Sequence, residues 1–93
     1  MTIAEIAVSK GENGNYEIYN LRNGNSNKKA PKVEFGKNCK TYEEIVSYSS
    51  SNQVKKIRLE NIDDITDIAP FTPSEVKHIK ETFEKQNYVI DFL

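Results

Sequence analysis

Three groups of side chains in this sequence have the types and spacing that chemistry could use. His78 is the only histidine, and Glu75 and Glu81 stand three residues to either side of it. On a helix both carboxylates would lie one turn away and could tune the imidazole as an acid or base. Cys39 is the only cysteine, with Lys37 and Lys40 close by and a helix expected to begin near Thr41. Cations and a helix N-terminus both lower a thiol pKa, which is the setting of a nucleophilic or redox cysteine. Glu60, Asp63, Asp64 and Asp67 form an acidic cluster of the kind that holds a hard cation.

Each group lacks what would complete it. No serine or cysteine motif accompanies His78, so it reads as a boundary residue on a partly exposed helix. Cys39 reads as an incidental free thiol. One cysteine and one histidine are too few for a metal site. The acidic cluster has neither the glycine nor the terminal glutamate of a calcium loop, and it suits the wet face of a short helical turn. Gly11, Gly14, Gly24 and Gly36 are scattered as turn residues are, so no phosphate-binding loop is present. The expectation is no catalytic residue, no metal and no cofactor.

Charge is distributed more tellingly than its total of −1. Arg22, Lys28, Lys29, Lys32, Lys37 and Lys40 are opposed within 22–40 only by Glu34, a local balance of +5. Residues 41–93 have the opposite balance, −4. A basic stretch of this kind can track phosphates, and Tyr16 and Tyr19 would offer stacking faces. Strand alternation, however, puts the two tyrosines on opposite faces, and no nucleic-acid-binding motif is present.

The firmest of the elements that must position these residues is 72–93. Thr72 with Glu75 makes a capping box, and Pro73 suits the first helical position. Val76, Ile79 and Phe83 then form an apolar stripe. Asn87 is a left-handed stop, and 88–93 reads as a closing strand. Thr41 and Glu44 make a second capping box for a brief helix through Tyr42, Ile45 and Val46, which the serines from Ser47 onward should end. Ahead of it, 2–9 and 16–22 alternate as strands around an Asn13-Gly14 turn. Residues 23–31 read as a loop, and 32–37 as a strand with Val33 and Phe35 inward. Ile57 and Leu59 point inward from a strand over 54–61, and 61–70 suits a helical turn with Ile62, Ile65 and Ile68.

These elements predict one α+β domain over 1–93, two-layered and in the order βββαβαβ. Its sheet should have about five strands, mainly antiparallel, with two helices on one face. No signal-peptide pattern and no long apolar run appears, and a lone cysteine argues against a disulfide framework. A cytoplasmic protein is therefore expected. Lacking an enzyme's motifs, the chain is expected to work by its surface as a protein-binding module. It would inhibit or modulate a larger host protein or nucleoprotein complex, as phage and mobile-element antagonists such as anti-CRISPR proteins do. The alternative is direct nucleic-acid binding through 22–40. A homodimer through 88–93 is a separate expectation, conditional on that strand lying at an edge. Tyr16, Tyr19, the six basic residues of 22–40 and the acidic Glu60, Asp63, Asp64 and Asp67 are the expected contact residues.

Overall fold

The computed structural model describes residues 3–11, 13–22, 32–60 and 70–93. Strands β1 (Glu5–Lys10), β2 (Tyr16–Arg22) and β3 (Lys32–Cys39) form an antiparallel meander. Helix α1 (Tyr42–Ser51) leads into β4 (Lys56–Leu59), and α2 (Pro73–Lys85) into β5 (Asp91–Phe92). The sheet order is β3-β2-β1-β4-β5. The domain is the small α+β architecture in the expected βββαβαβ order.

The sheet is mixed: the two antiparallel ladders hold most of the paired residues, and two shorter ladders are parallel. β4 runs parallel to β1, and β5 parallel to β4. The connections explain this. A hairpin such as β1–β2 reverses the chain, whereas a helical crossover returns a strand in the direction of its neighbour. The loop expected over 23–31, and all but Pro70 of the turn expected over 61–70, lie outside the described residues.

One face of the sheet carries the core. Ile6 and Val8 of β1, Ile18 of β2 and Ile57 of β4 are buried together with Ile45 and Val46 of α1 and Ile79 and Phe83 of α2. Both helices therefore cover the same side. Phe83 is the hub, with the rings of Tyr88 and Phe92 edge-on to it at 5.8 and 5.5 Å.

Both capping boxes are closed. The Thr41 and Thr72 hydroxyls accept from the Glu44 and Glu75 N–H groups, and the two carboxylates accept in return from the cap backbones. Both helices end in the same left-handed motif. Asn87 takes φ 57°, while the Tyr88 N–H donates to the Phe83 carbonyl at 3.0 Å and the Asn87 N–H to that of Glu84 at 3.0 Å. Gln53 takes φ 55° at the equivalent place after α1.

Helix α1 continues through the serines expected to stop it. The buried Ser49 hydroxyl turns back to the Ile45 carbonyl at 2.9 Å, so it does not compete for other backbone groups. The Tyr88 hydroxyl lies 3.0 Å from the Ser49 carbonyl and 2.5 Å from that of Val54. The Ser49 carbonyl also accepts the Val54 N–H at 2.9 Å, so the helix-end motif and the docked tyrosine together hold the end of α1 against the serines' weak helix propensity. Only Asp91 and Phe92 of the expected terminal strand pair, on the outer side of β4.

The β2–β3 ladder slips by one residue. Ile18 faces Lys37 but Tyr19 faces Phe35, which leaves Gly36 as the extra residue of a bulge. β3 also runs past Lys37 to Cys39. The β1–β2 turn closes with the Gly11 N–H donating to the Asn15 carbonyl at 2.7 Å and with Gly14 at φ +76°.

Candidate functional site

The second face of the sheet has no helix on it among the described residues. Its positions follow from alternation and register. The row Arg58–Ala7–Tyr19–Phe35 crosses β4, β1, β2 and β3, and the row Lys56–Glu5–Leu21–Val33 lies beside it. Tyr19 and Phe35 meet edge to face with centroids 5.7 Å apart. Phe35 is 55 % exposed and Val33 40 % exposed, while Tyr19 and Leu21 are half-buried. Ala7 is fully buried even though it lies on this open side.

Val33 and Phe35 were expected inward; they point outward. Period-2 alternation says that β3 has two faces but not which one meets the helices. Gly36 decides it. A Cβ at that position would stand 2.6 Å from the Tyr48 hydroxyl, so Gly36 leaves room for the side chain that α1 sends onto the sheet there. That places the neighbouring Phe35 on the other side.

The rim of this face is charge-paired. The Arg58 Nε donates to Glu5 Oε2 at 2.5 Å, and Arg58 Nη1 lies 3.7 Å from Glu60 Oε1. The Glu5 carboxylate raises the already high pKa of the Arg58 guanidinium further. The Tyr19 hydroxyl donates to Glu17 Oε1 at 3.3 Å. The apolar side chains thus lie toward the β3 edge of this face, and the Arg58 ion pairs on its β1–β4 side.

A second cluster joins the β1–β2 hairpin to the start of α2. Lys10 Nζ lies 2.5 Å from Glu75 Oε1 and 3.2 Å from the Pro70 carbonyl. The Tyr16 ring stacks on Phe71 at 6.1 Å, and the Tyr16 hydroxyl is 3.4 Å from that of Tyr42. Burial first, and then the Tyr16 hydroxyl, push Tyr42 up to about 12. A tyrosine held protonated in this way is tuned against service as a base or nucleophile. Lys10 above all, and then the Thr72 N–H, hold Glu75 below the usual carboxylate range. The cluster is a structural corner, and it takes up Tyr16.

The structure thus separates the expected contact residues. Tyr19 is on the open face and Tyr16 in the corner. Arg22 and Lys32 are opposite each other in the β2–β3 register. Lys37 and Lys40 are exposed, on β3 and just past it. Glu60 is exposed at the rim beside Arg58. Lys28, Lys29, Asp63, Asp64 and Asp67 lie outside the described residues.

Cys39 is the last residue of β3, which runs past the strand end expected at Lys37, and it is fully buried. Burial, then the Glu44 charge, push its thiol up, and Lys37 offsets only part of this. His78 is exposed, with Nδ1 3.8 Å from Glu81 Oε1. Among the described residues no three potential metal ligands converge, and no helix is long and apolar enough to cross a membrane.

A second apolar region is a groove between α2 and β5, with Phe83, Tyr88 and Phe92 among its lining. Val89 and Leu93 near it are 92 % and 60 % exposed.

Fold and surface together define a small α+β domain whose mixed sheet is covered by both helices on one side and presents Tyr19, Leu21, Val33 and Phe35 toward its β3 edge on the other. No family model, no curated protein and no solved structure matches this chain.

Proposed function

We propose that this protein is a non-enzymatic binding module that docks a partner protein on the open face of its sheet. It would modulate a larger protein or nucleoprotein complex by occupying part of its surface. The observation that carries this reading is the Tyr19–Phe35 pair with Val33 and Leu21, apolar and outward-facing on a sheet side where no described helix packs. Rigid aromatic side chains in such a setting are the usual anchors of interfaces. The groups best placed for chemistry are tuned away from it: Cys39 is buried with a raised pKa, and Tyr42 is held protonated.

The face itself does not suit a polyanion. Glu5, Glu17 and Glu60 accompany Arg58 and Lys56 on or beside it. Those carboxylates oppose phosphates where the aromatic rings would have to stack on bases.

The test is separation of stability from binding. The full chain is immobilised as wild type, as Val33→Glu, as Phe35→Glu, and as Lys77→Glu on the outer side of α2. One captured protein should be common to wild type and Lys77→Glu, and at least about tenfold weaker on the other two, as expected for loss of a central anchor. Melting temperatures should stay close to wild type, because both face residues are exposed. Capture unchanged by Phe35→Glu and Val33→Glu would sink the reading.

A further inference from the structure

We infer that Asn13 is a self-modification site: in the folded chain the Gly14 backbone nitrogen displaces the side-chain amide of Asn13, and water then leaves aspartate or isoaspartate in its place.

The β1–β2 loop presents both reacting groups. Asn13 and Gly14 are exposed. Among the described residues no hydrogen bond holds the Asn13 side chain or the Gly14 N–H, and the bond that closes the loop joins Gly11 to Asn15 instead. The attack closes a ring, so the nitrogen must come close to the side-chain carbon. Gly14 has no Cβ to obstruct that approach. Its surroundings do not obstruct it either, since a carbon added there would meet nothing within 4 Å.

The other described asparagines each lack a requirement. Asn20 is almost buried, and its Oδ1 accepts from the Tyr48 hydroxyl at 2.7 Å. The Asn52 side-chain amide donates to the Tyr48 carbonyl at 2.9 Å. Asn15, Asn38 and Asn87 precede Tyr16, Cys39 and Tyr88, each of which has a Cβ beside the nitrogen that would attack.

The chemistry is a hydrolysis in two stages. Hydroxide takes the Gly14 amide proton, and the nitrogen's electron pair forms a bond to Asn13 Cγ. The Cγ–Nδ2 bond breaks, and the departing nitrogen takes a proton from water and leaves as ammonia, which restores the hydroxide. Water then cleaves the succinimide ring at either of its C–N bonds. Cleavage at Cγ gives aspartate. Cleavage at the main-chain carbonyl gives isoaspartate, with Cβ and Cγ of residue 13 now in the backbone. Water is consumed, ammonia is released, and nothing is oxidised or reduced. Both products carry a new carboxylate, ionised at neutral pH. The isoaspartyl form also lengthens the loop that joins β1 to β2.

The test incubates the full, folded chain at mildly alkaline pH and follows the amide-to-acid mass change after a brief trypsin digestion. Cleavage after Lys10 and Arg22 separates 11–22 from the second Asn-Gly pair, Asn23-Gly24, and fragmentation distinguishes Asn13 from Asn15 and Asn20. Conversion at Asn13 should be at least about tenfold faster than at the other two, which corresponds to about 1.4 kcal/mol in the barrier. It should accelerate with pH and yield two chromatographically distinct isomers. Gly14→Ala should slow it about tenfold although it weakens the turn, because the added methyl crowds the attacking nitrogen.

Comparison with the chain in urea shows whether the folded loop itself reacts. Native and unfolded rates should agree within about tenfold, whereas a reaction confined to the unfolded chain would be about a thousandfold or more slower in the native protein. Slowing on that scale overturns the inference. So does conversion that appears first at Asn15 or Asn20, a rate untouched by Gly14→Ala, or a single product isomer.

Discussion

Replacing Gly36 by alanine tests the close approach of α1 to the sheet, which sets the outward direction of Phe35. An added Cβ would meet the Tyr48 hydroxyl at 2.6 Å, Asn20 Oδ1 at 3.0 Å and the Ile18 carbonyl at 3.1 Å. Ordinary contact begins near 3.4 Å, so the tyrosine must retreat by most of an ångström. That movement breaks its 2.7 Å hydrogen bond to Asn20, whose side chain is almost buried. An unmet buried acceptor costs about 1–3 kcal/mol. Removing a glycine from a strand returns roughly 0.5–1 kcal/mol. The net expectation for Gly36→Ala is a loss of about 1–2 kcal/mol, within the usual range for overpacking. Tyr48→Phe alone leaves the same acceptor unmet and should lose about 1–3 kcal/mol. With the hydroxyl gone, the shortest clash is gone too. The double variant should therefore lose about 1 kcal/mol less than the two single losses combined, well beyond the 0.3–0.5 kcal/mol scatter of independent sites. Urea denaturation of the four proteins reads this directly. Additive losses, or a Gly36→Ala protein as stable as wild type, would refute the placement of α1 over the bulge.

Three further outcomes follow from the fold. Phe83→Ala, at a side chain 1 % exposed between Tyr88 and Phe92, should lose about 3–5 kcal/mol in chemical denaturation, and a near-wild-type midpoint would contradict its central position. Gly14→Ala should lose about 1–2 kcal/mol for conformational reasons alone, since φ is +76° and nothing lies within 4 Å of the added carbon; Gly14→Asn should lose less, and equal losses would point to a steric cause instead. Glu75 is held below its ordinary pKa by Lys10 and the Thr72 N–H, so its contribution is full above the unfolded value, about 4.3 for glutamate, and fades as pH falls through the lower folded value. Wild type should therefore lose more stability between pH 6 and pH 3 than Glu75→Gln; parallel profiles would show that the Lys10 pair does not bias the carboxyl.

Local signals in the sequence located the local structure. Two capping boxes, the Asn13-Gly14 turn and the Asn87 stop each act within a few residues, and each appears where its chemistry requires. Non-local features were harder to read. Gln53 carries no left-handed signature of its own, and the serines of α1 stay helical because Tyr88 docks on that end from a distance. The parallel ladders follow from helical crossovers, which alternation alone does not orient. Tyr19 was legible as a surface aromatic, because β2 has apolar residues on both faces. Its neighbours were not. The phase of β3 depends on Gly36 lying under Tyr48, and the Arg58–Glu5 pair joins residues 53 apart in the chain. For Cys39 the flanking lysines were visible in the sequence, but the full burial of the strand end, which dominates its pKa, was not.

The working surface is tested most directly by hydrogen–deuterium exchange of the full chain, free and with the captured partner bound. The account predicts new protection on β2 and β3, with α2 unchanged. Protection confined to α2 and the groove beside β5, with β2 and β3 exchanging as in the free protein, would contradict it.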